Sequence, residues 1–260
     1  MSKRQTHSSA PLGFRFLKVI AMLKTFPGKV ITQLRGKASR AARAPEDCPD
    51  GWSISTVDPM AVLAVFKPLR LKDGFVLRAY QFREGGNGNA FVWAMPVDAD
   101  FPDPEECPRL EGVFLEPPKP PLALDNVMDA IDGEGSPWSY MCASILAREL
   151  GEFGAMWHGC NWSTHTVLGA NPWNPTRRKK KSGVVHWMSP LTEWVWAERS
   201  PKAWSPSVDA GEATTVVTFY TFSQLGQEAI YRHTDTYEPG SYRFYSERAT
   251  LATGPDGYVH

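Results

Sequence analysis

Between residues 214 and 252, three runs rich in Val, Thr, Tyr and Phe are separated by two short turn signals, Leu225-Gly226-Gln227 and Glu238-Pro239-Gly240-Ser241. Turns this short can join only adjacent antiparallel strands, so the stretch predicts a three-stranded meander over 214–222, 228–237 and 242–252. Side chains alternate along a strand. In the middle run Tyr231, His233, Asp235 and Tyr237 therefore share one face, and Ile230, Arg232, Thr234 and Thr236 share the other. Neither face is cleanly apolar, which points to a wet or ligand-filled cavity on one side of the sheet.

The second constraint is a helix signal. Ser136 is a good N-cap, Pro137 suits the first helical position, and apolar residues recur at Trp138, Cys142, Ile145, Leu146, Leu150 and Phe153. Arg148, Glu149 and Glu152 fall largely off that stripe, and Gly151 and Gly154 mark its end, so a helix is expected over 137–153. It leads directly into the densest group of reactive side chains, Trp157, His158, Cys160, Trp162 and His165, and then into a strand over 164–168.

Elsewhere the pattern is plainer. Residues 70–96 read as a hairpin about Gly85-Gly86-Asn87-Gly88-Asn89, which lacks the strand-to-helix setting and the Lys of a phosphate-binding loop. Residues 54–66 are apolar and in part β-branched. Residues 98–121 are acidic and proline-rich, suited to an extended surface loop or a partner-recognition segment, and 122–131 suits a short helix. Asp129, Asp132 and Glu134 lack the remaining ligand positions of a calcium loop. Strands are expected over 184–187 and 191–197, with Trp194 and Trp196 on a common face. Together these elements predict an α+β fold in which a curved antiparallel sheet, built from the 54–96 hairpin and the C-terminal meander, packs on one main helix.

Charge divides the chain further. The 28 Lys and Arg match the 28 Asp and Glu, so no global field draws it to nucleic acid or anionic lipid. Residues 1–45 nevertheless hold ten Lys and Arg and no acid, and are expected to lie outside a single globular domain spanning 46–260. The segment suits a solvated tail, an organelle transit peptide, or an interface helix over 14–23. Cys48, Cys107, Cys142 and Cys160 form no CxxC pair, which favours a reducing compartment, and no apolar run reaches membrane-spanning length. A soluble cytoplasmic protein is the expectation, or an organellar one if the basic segment is a transit peptide.

Two constellations carry possible chemistry. His158, Cys160 and His165 include zinc-ligand types, but their spacing matches no strong motif and a fourth ligand such as Glu149 has to be supplied, so neither metal nor cofactor is assigned. Cys160 could instead be a thiol nucleophile activated by a histidine, whereas Cys142 lies on the helix stripe and suits a buried, inert position. The second constellation pairs His233 with Asp235 on one strand face, where a carboxylate could fix the imidazole tautomer for general-base work, or the pair could be ordinary sheet polarity. If His165 enters a strand of the meander's sheet, all three could meet in one site with two titratable histidines. The expected function is small-molecule binding by a domain that could also be an enzyme. His165, His233, Asp235 and Cys160 would be its reactive groups, and Trp157, Trp162, Tyr231 and Tyr237 its aromatic walls. The alternative is a non-catalytic interaction module. It would dock through the proline-rich loop and through a basic loop over 171–182, in which Arg177, Arg178, Lys179, Lys180 and Lys181 beside Trp173 suit an anionic partner.

Overall fold

The computed structural model describes residues 22–43, 49–173 and 188–259. In chain order its strands and helices are β1 (Met22–Thr25), α1 (Gly28–Ala41), β2 (Gly51–Ile54), α2 (Pro59–Leu63), β3 (Leu69–Leu71), β4 (Phe75–Glu84), β5 (Asn87–Pro96), β6 (Ile131–Gly133), α3 (Pro137–Gly151), β7 (Thr166–Leu168), β8 (Val195–Trp196), β9 (Ser207–Ala210), β10 (Thr215–Ser223), β11 (Gln227–Tyr237) and β12 (Phe244–Asp256).

The meander is present as β10, β11 and β12, and it forms the centre of a curled antiparallel sheet of order β1-β9-β10-β11-β12-β8, with β7 also pairing with β10. The expected hairpin exists as β4 and β5, but it belongs to a separate sheet of order β2-β4-β5. The reason lies in α3. Ser136 caps it, its side chain accepting from the Ser139 amide, and almost every residue from Ser139 to Leu150 is buried. A helix buried on all sides needs a wall on each. Leu77, Ala79, Ala90 and Ala94 of the second sheet supply one, and Val208, Val217, Phe219 and Tyr237 of the first supply the other, in one continuous core with Met141, Cys142, Ile145 and Leu146.

The basic segment departs most from expectation. β1 pairs with β9, and α1 buries Ile31 and Ala38 completely, with Leu34 and Ala41 packed beside them. These positions recur at spacings of three and four, so α1 has a core-facing stripe of its own and the domain includes residues 22–43 rather than starting at 46. Of the expected interface helix over 14–23, Met22 and Leu23 lie in β1 and the remainder lies outside the described residues.

The hairpin turn is only Gly85-Gly86, both at positive φ (54° and 85°), and Asn87–Asn89 already pair within β5. Residues 98–121 cover the outer face of the second sheet, where Phe101 stacks on Tyr80 at 4.4 Å and Cys107, Pro117, Pro118 and Pro120 are buried. The expected helix over 122–131 shortens to a 3₁₀ turn at Val127–Ala130, and the strand over 191–197 to β8. Trp194 and Trp196 do gather on one side, in a second apolar cluster with Trp173, Trp204, Phe222 and Ile230 on the outer face of the first sheet. On β11 the cluster takes up Ile230 alone, and Arg232, Thr234 and Thr236 on the same face do not belong to it. The expected strand 184–187 and the basic run Arg177–Lys181 lie outside the described residues. Among the described residues no helix is long and apolar enough to cross a membrane.

Candidate functional site

The segment after α3 folds into a closed loop held by one carboxylate. Glu152 accepts from the backbone N–H groups of Asn161 (2.6 Å), Trp162 and Ser163 (2.7 Å), so the three amides share a charge that their own 3₁₀ turn leaves room for. Burial pushes this carboxyl upward, and the amide hydrogen bonds oppose the shift. The loop is hooked to the hairpin tip by Met156, whose amide donates to Gly88 O at 2.9 Å. Two glycines make that contact possible: a Cβ at Gly159 would collide with the Gly88 carbonyl, and one at Gly88 would collide with the buried Arg83 side chain. Arg83 in turn donates to the Gly154 carbonyl at 3.0 Å, just past the end of α3. The hook leaves Trp157 in the left-handed region (φ 48°) and 63 % exposed. For a non-glycine residue that conformation costs on the order of 1 kcal/mol or more, borne by the hydrogen bonds around it.

Facing this loop stands α1, and Arg35 joins the two. Its guanidinium donates from Nε to Glu149 Oε1 (2.9 Å), from Nη2 to Trp162 O (2.7 Å) and from Nη1 to His165 O, and it lies 3.9 Å over the Trp162 ring. Trp162 Nε1 donates to the same Glu149 oxygen at 2.8 Å. One side chain thus ties α1, α3 and the loop through an ion pair, two carbonyls and a ring face, which the planar fork of arginine can serve at once. Sequence reasoning missed Arg35 by treating it as tail charge; the signal available was the apolar stripe of α1.

β7 enters the first sheet with Val167 opposite Thr221, and this brings His165 to the meander. His165 Nδ1 and His233 Nε2 each lie 2.8 Å from Thr221 Oγ1, with the two imidazole centroids 6.0 Å apart. The hydroxyl has one proton, so it donates to at most one ring and accepts from the other. Phe219 stacks on His233 at 4.7 Å and Tyr231 on His165 at 5.2 Å. Burial, reinforced by Arg148, Arg35 and Arg248, lowers the His165 pKa to about 4 and that of His233 to about 2. Both imidazoles are thereby held neutral at neutral pH, because a further charge in this desolvated corner beside three guanidinium groups is costly.

Asp235 does not serve His233. Its two oxygens accept from Arg148 Nη1 (2.7 Å) and Nη2 (2.9 Å), and Ser246 adds a third bond at 2.7 Å. A fully buried carboxylate takes the bidentate guanidinium over an imidazole that resists protonation. Tyr237 is fully buried, its hydroxyl donating to Tyr140 O (3.1 Å) and sharing a hydrogen bond with Ser144 (2.7 Å), so it anchors α3 to the sheet rather than forming a ligand wall. Burial raises the Cys160 pKa against a weaker opposing hydrogen bond from Ser163, which leaves a thiol and not a thiolate. His158 is exposed. No group of three or more His, Cys, Asp and Glu able to hold a metal ion occurs among the described residues.

Between α1 and the loop runs a groove of about 860 Å³. Trp157, Cys160, Trp162 and His165 of the expected site line it, whereas Tyr231, His233, Asp235 and Tyr237 are not among its lining residues. The opposite wall is the polar face of α1, with Thr32, Gly36, Ser39 and Arg40. No protein-family model, curated protein or solved structure matches the chain.

Proposed function

We propose that the protein binds a small organic ligand in the groove between α1 and the 152–163 loop, as a binding domain rather than a catalyst. The observation that carries this reading is the pairing of an exposed, conformationally fixed indole on one wall with a side chain withheld from the other. Gly36 sits in the interior of α1 without positive φ, where glycine is about 1 kcal/mol worse than alanine. Nothing in the packing requires it: the nearest atom to an added Cβ would be Arg40 Nη1 at 3.8 Å, an ordinary contact. What its absence preserves is open volume, and about 860 Å³ lies within the range of small-molecule sites. The reactive groups at hand favour binding over chemistry, since an imidazole with its pKa lowered to about 4 is a weak base at neutral pH and burial keeps Cys160 a thiol there.

The test is a substitution that fills the groove while improving the helix. Gly36→Leu is expected to raise stability by roughly 0.5–1 kcal/mol in urea denaturation, and to abolish binding of a neutral aromatic probe, N-phenyl-1-naphthylamine, followed by fluorescence. Probe binding that persists unchanged in a stabilised Gly36→Leu protein removes the groove as the site.

A further inference from the structure

The charges around the groove do not cancel in the same way. Arg35 is matched by Glu149, and the Glu152 carboxylate is taken up by three backbone amides. Arg40 is exposed and makes no ion pair among the described residues, yet it lines the groove, its Nη1 lying close to Gly36 on the same helix face. At Arg40 the rim of the groove is therefore cationic although the whole chain carries no net charge. An exposed guanidinium beside a concave, partly apolar surface is a receptor for an anion, because the cleft walls displace water and strengthen a charge-assisted bond that would be weak on an open surface. Across the groove Trp157 offers a flat apolar face that its own backbone holds outward.

Resting on the groove as the binding site, we infer that its ligand is an organic anion: a planar or aromatic body that packs on Trp157, bearing a carboxylate, sulfonate or phosphate group that Arg40 receives. Ser39 adds a hydroxyl along the same wall, suited to donate to such a group, whereas the Thr32 hydroxyl donates to Gly28 O (3.1 Å).

A matched pair of probes separates this inference from the reading beneath it. N-Phenyl-1-naphthylamine and 8-anilinonaphthalene-1-sulfonate differ by one sulfonate, so titrating the full-length protein with each measures what the anion adds. The sulfonate is expected to bind about tenfold more tightly at low salt. That advantage should shrink at high salt and disappear in Arg40→Gln, with Arg40→Lys retaining part of it, since charge is kept and the fork is lost. Arg40→Gln is an exposed helical substitution, and an unchanged melting temperature verifies that the fold is intact. Equal affinity for the two probes, or a sulfonate advantage that survives in Arg40→Gln, overturns the anion assignment and leaves the groove standing. Failure of both probes to bind in a manner sensitive to Gly36→Leu overturns the groove itself.

Discussion

Arg35 and the two histidines show how far a single residue's role depends on partners that the local sequence does not announce. Arg35 and Glu149 are largely buried, so removing one leaves the other charge stranded. Arg35→Met is expected to destabilise the protein by about 3–5 kcal/mol in urea denaturation, with much of that recovered in the double variant Arg35→Met/Glu149→Gln. No recovery in the double variant would show that the two carbonyl contacts, not the ion pair, carry the effect. The histidines give a pH dependence of definite sign. An unfolded imidazole takes its proton near pH 6.5, whereas folded His165 and His233 resist protonation until about 4 and about 2. Below pH 6.5 the unfolded state binds more protons, so stability should fall with falling pH, by up to about 1.4 kcal/mol per pH unit for each histidine. Replacing His233 by Gln should roughly halve the histidine-linked slope between pH 6 and 5 relative to the unsubstituted protein, and an identical slope in the two proteins would sink this assignment. The short strand after Thr164 was legible, but its place beside β10, which brings His165 to the meander, was left open because no local pattern fixes strand order. The partner of Asp235 was not, because Arg148 arrives from a helix 87 residues away and no local pattern encodes that distance.

Elements were legible in proportion to how much of their signal is local. α3 follows from a capping serine, an N1 proline and a periodic stripe, all within one window. Its burial on every side does not, since Ser144 and Glu149 become buried only when two sheets and α1 close around them. α1 was obscured because a run of positive charge without acids resembles a solvated tail, and its stripe is short and alanine-rich. The hairpin turn was placed correctly but drawn too wide: Gly88 is needed not for a turn but for the passage of Arg83 and the approach of Gly159, both contacts with distant chain. Gly159→Ala is accordingly expected to destabilise by on the order of 1–3 kcal/mol and to loosen the loop wall, read as increased quenching of Trp157 by acrylamide. Unchanged stability would mean that the hook between loop and hairpin is dispensable.

At the scale of the whole molecule, the two sheets and the helix between them share one core, and this makes the division into separately stable parts unfavourable. The amides of β4 and β5 are expected to lose hydrogen-exchange protection together with those of β10 and β11 as denaturant is added. Separate midpoints for the two sheets would contradict a common core. The tie made by Arg35 bears on the order of assembly as well. Its three polar partners lie 114, 127 and 130 residues further along the chain, and β1 waits for β9 near residue 207. Contacts of such separation form late, because the loop they close must first be paid for in entropy. During synthesis the earliest helix of the described fold can meet α2 soon after it emerges, but the polar ties that Arg35 makes to α3 and the loop wait until residues 149–165 have followed. The groove, bounded by that helix on one side, is completed only when the two distant parts of the chain meet.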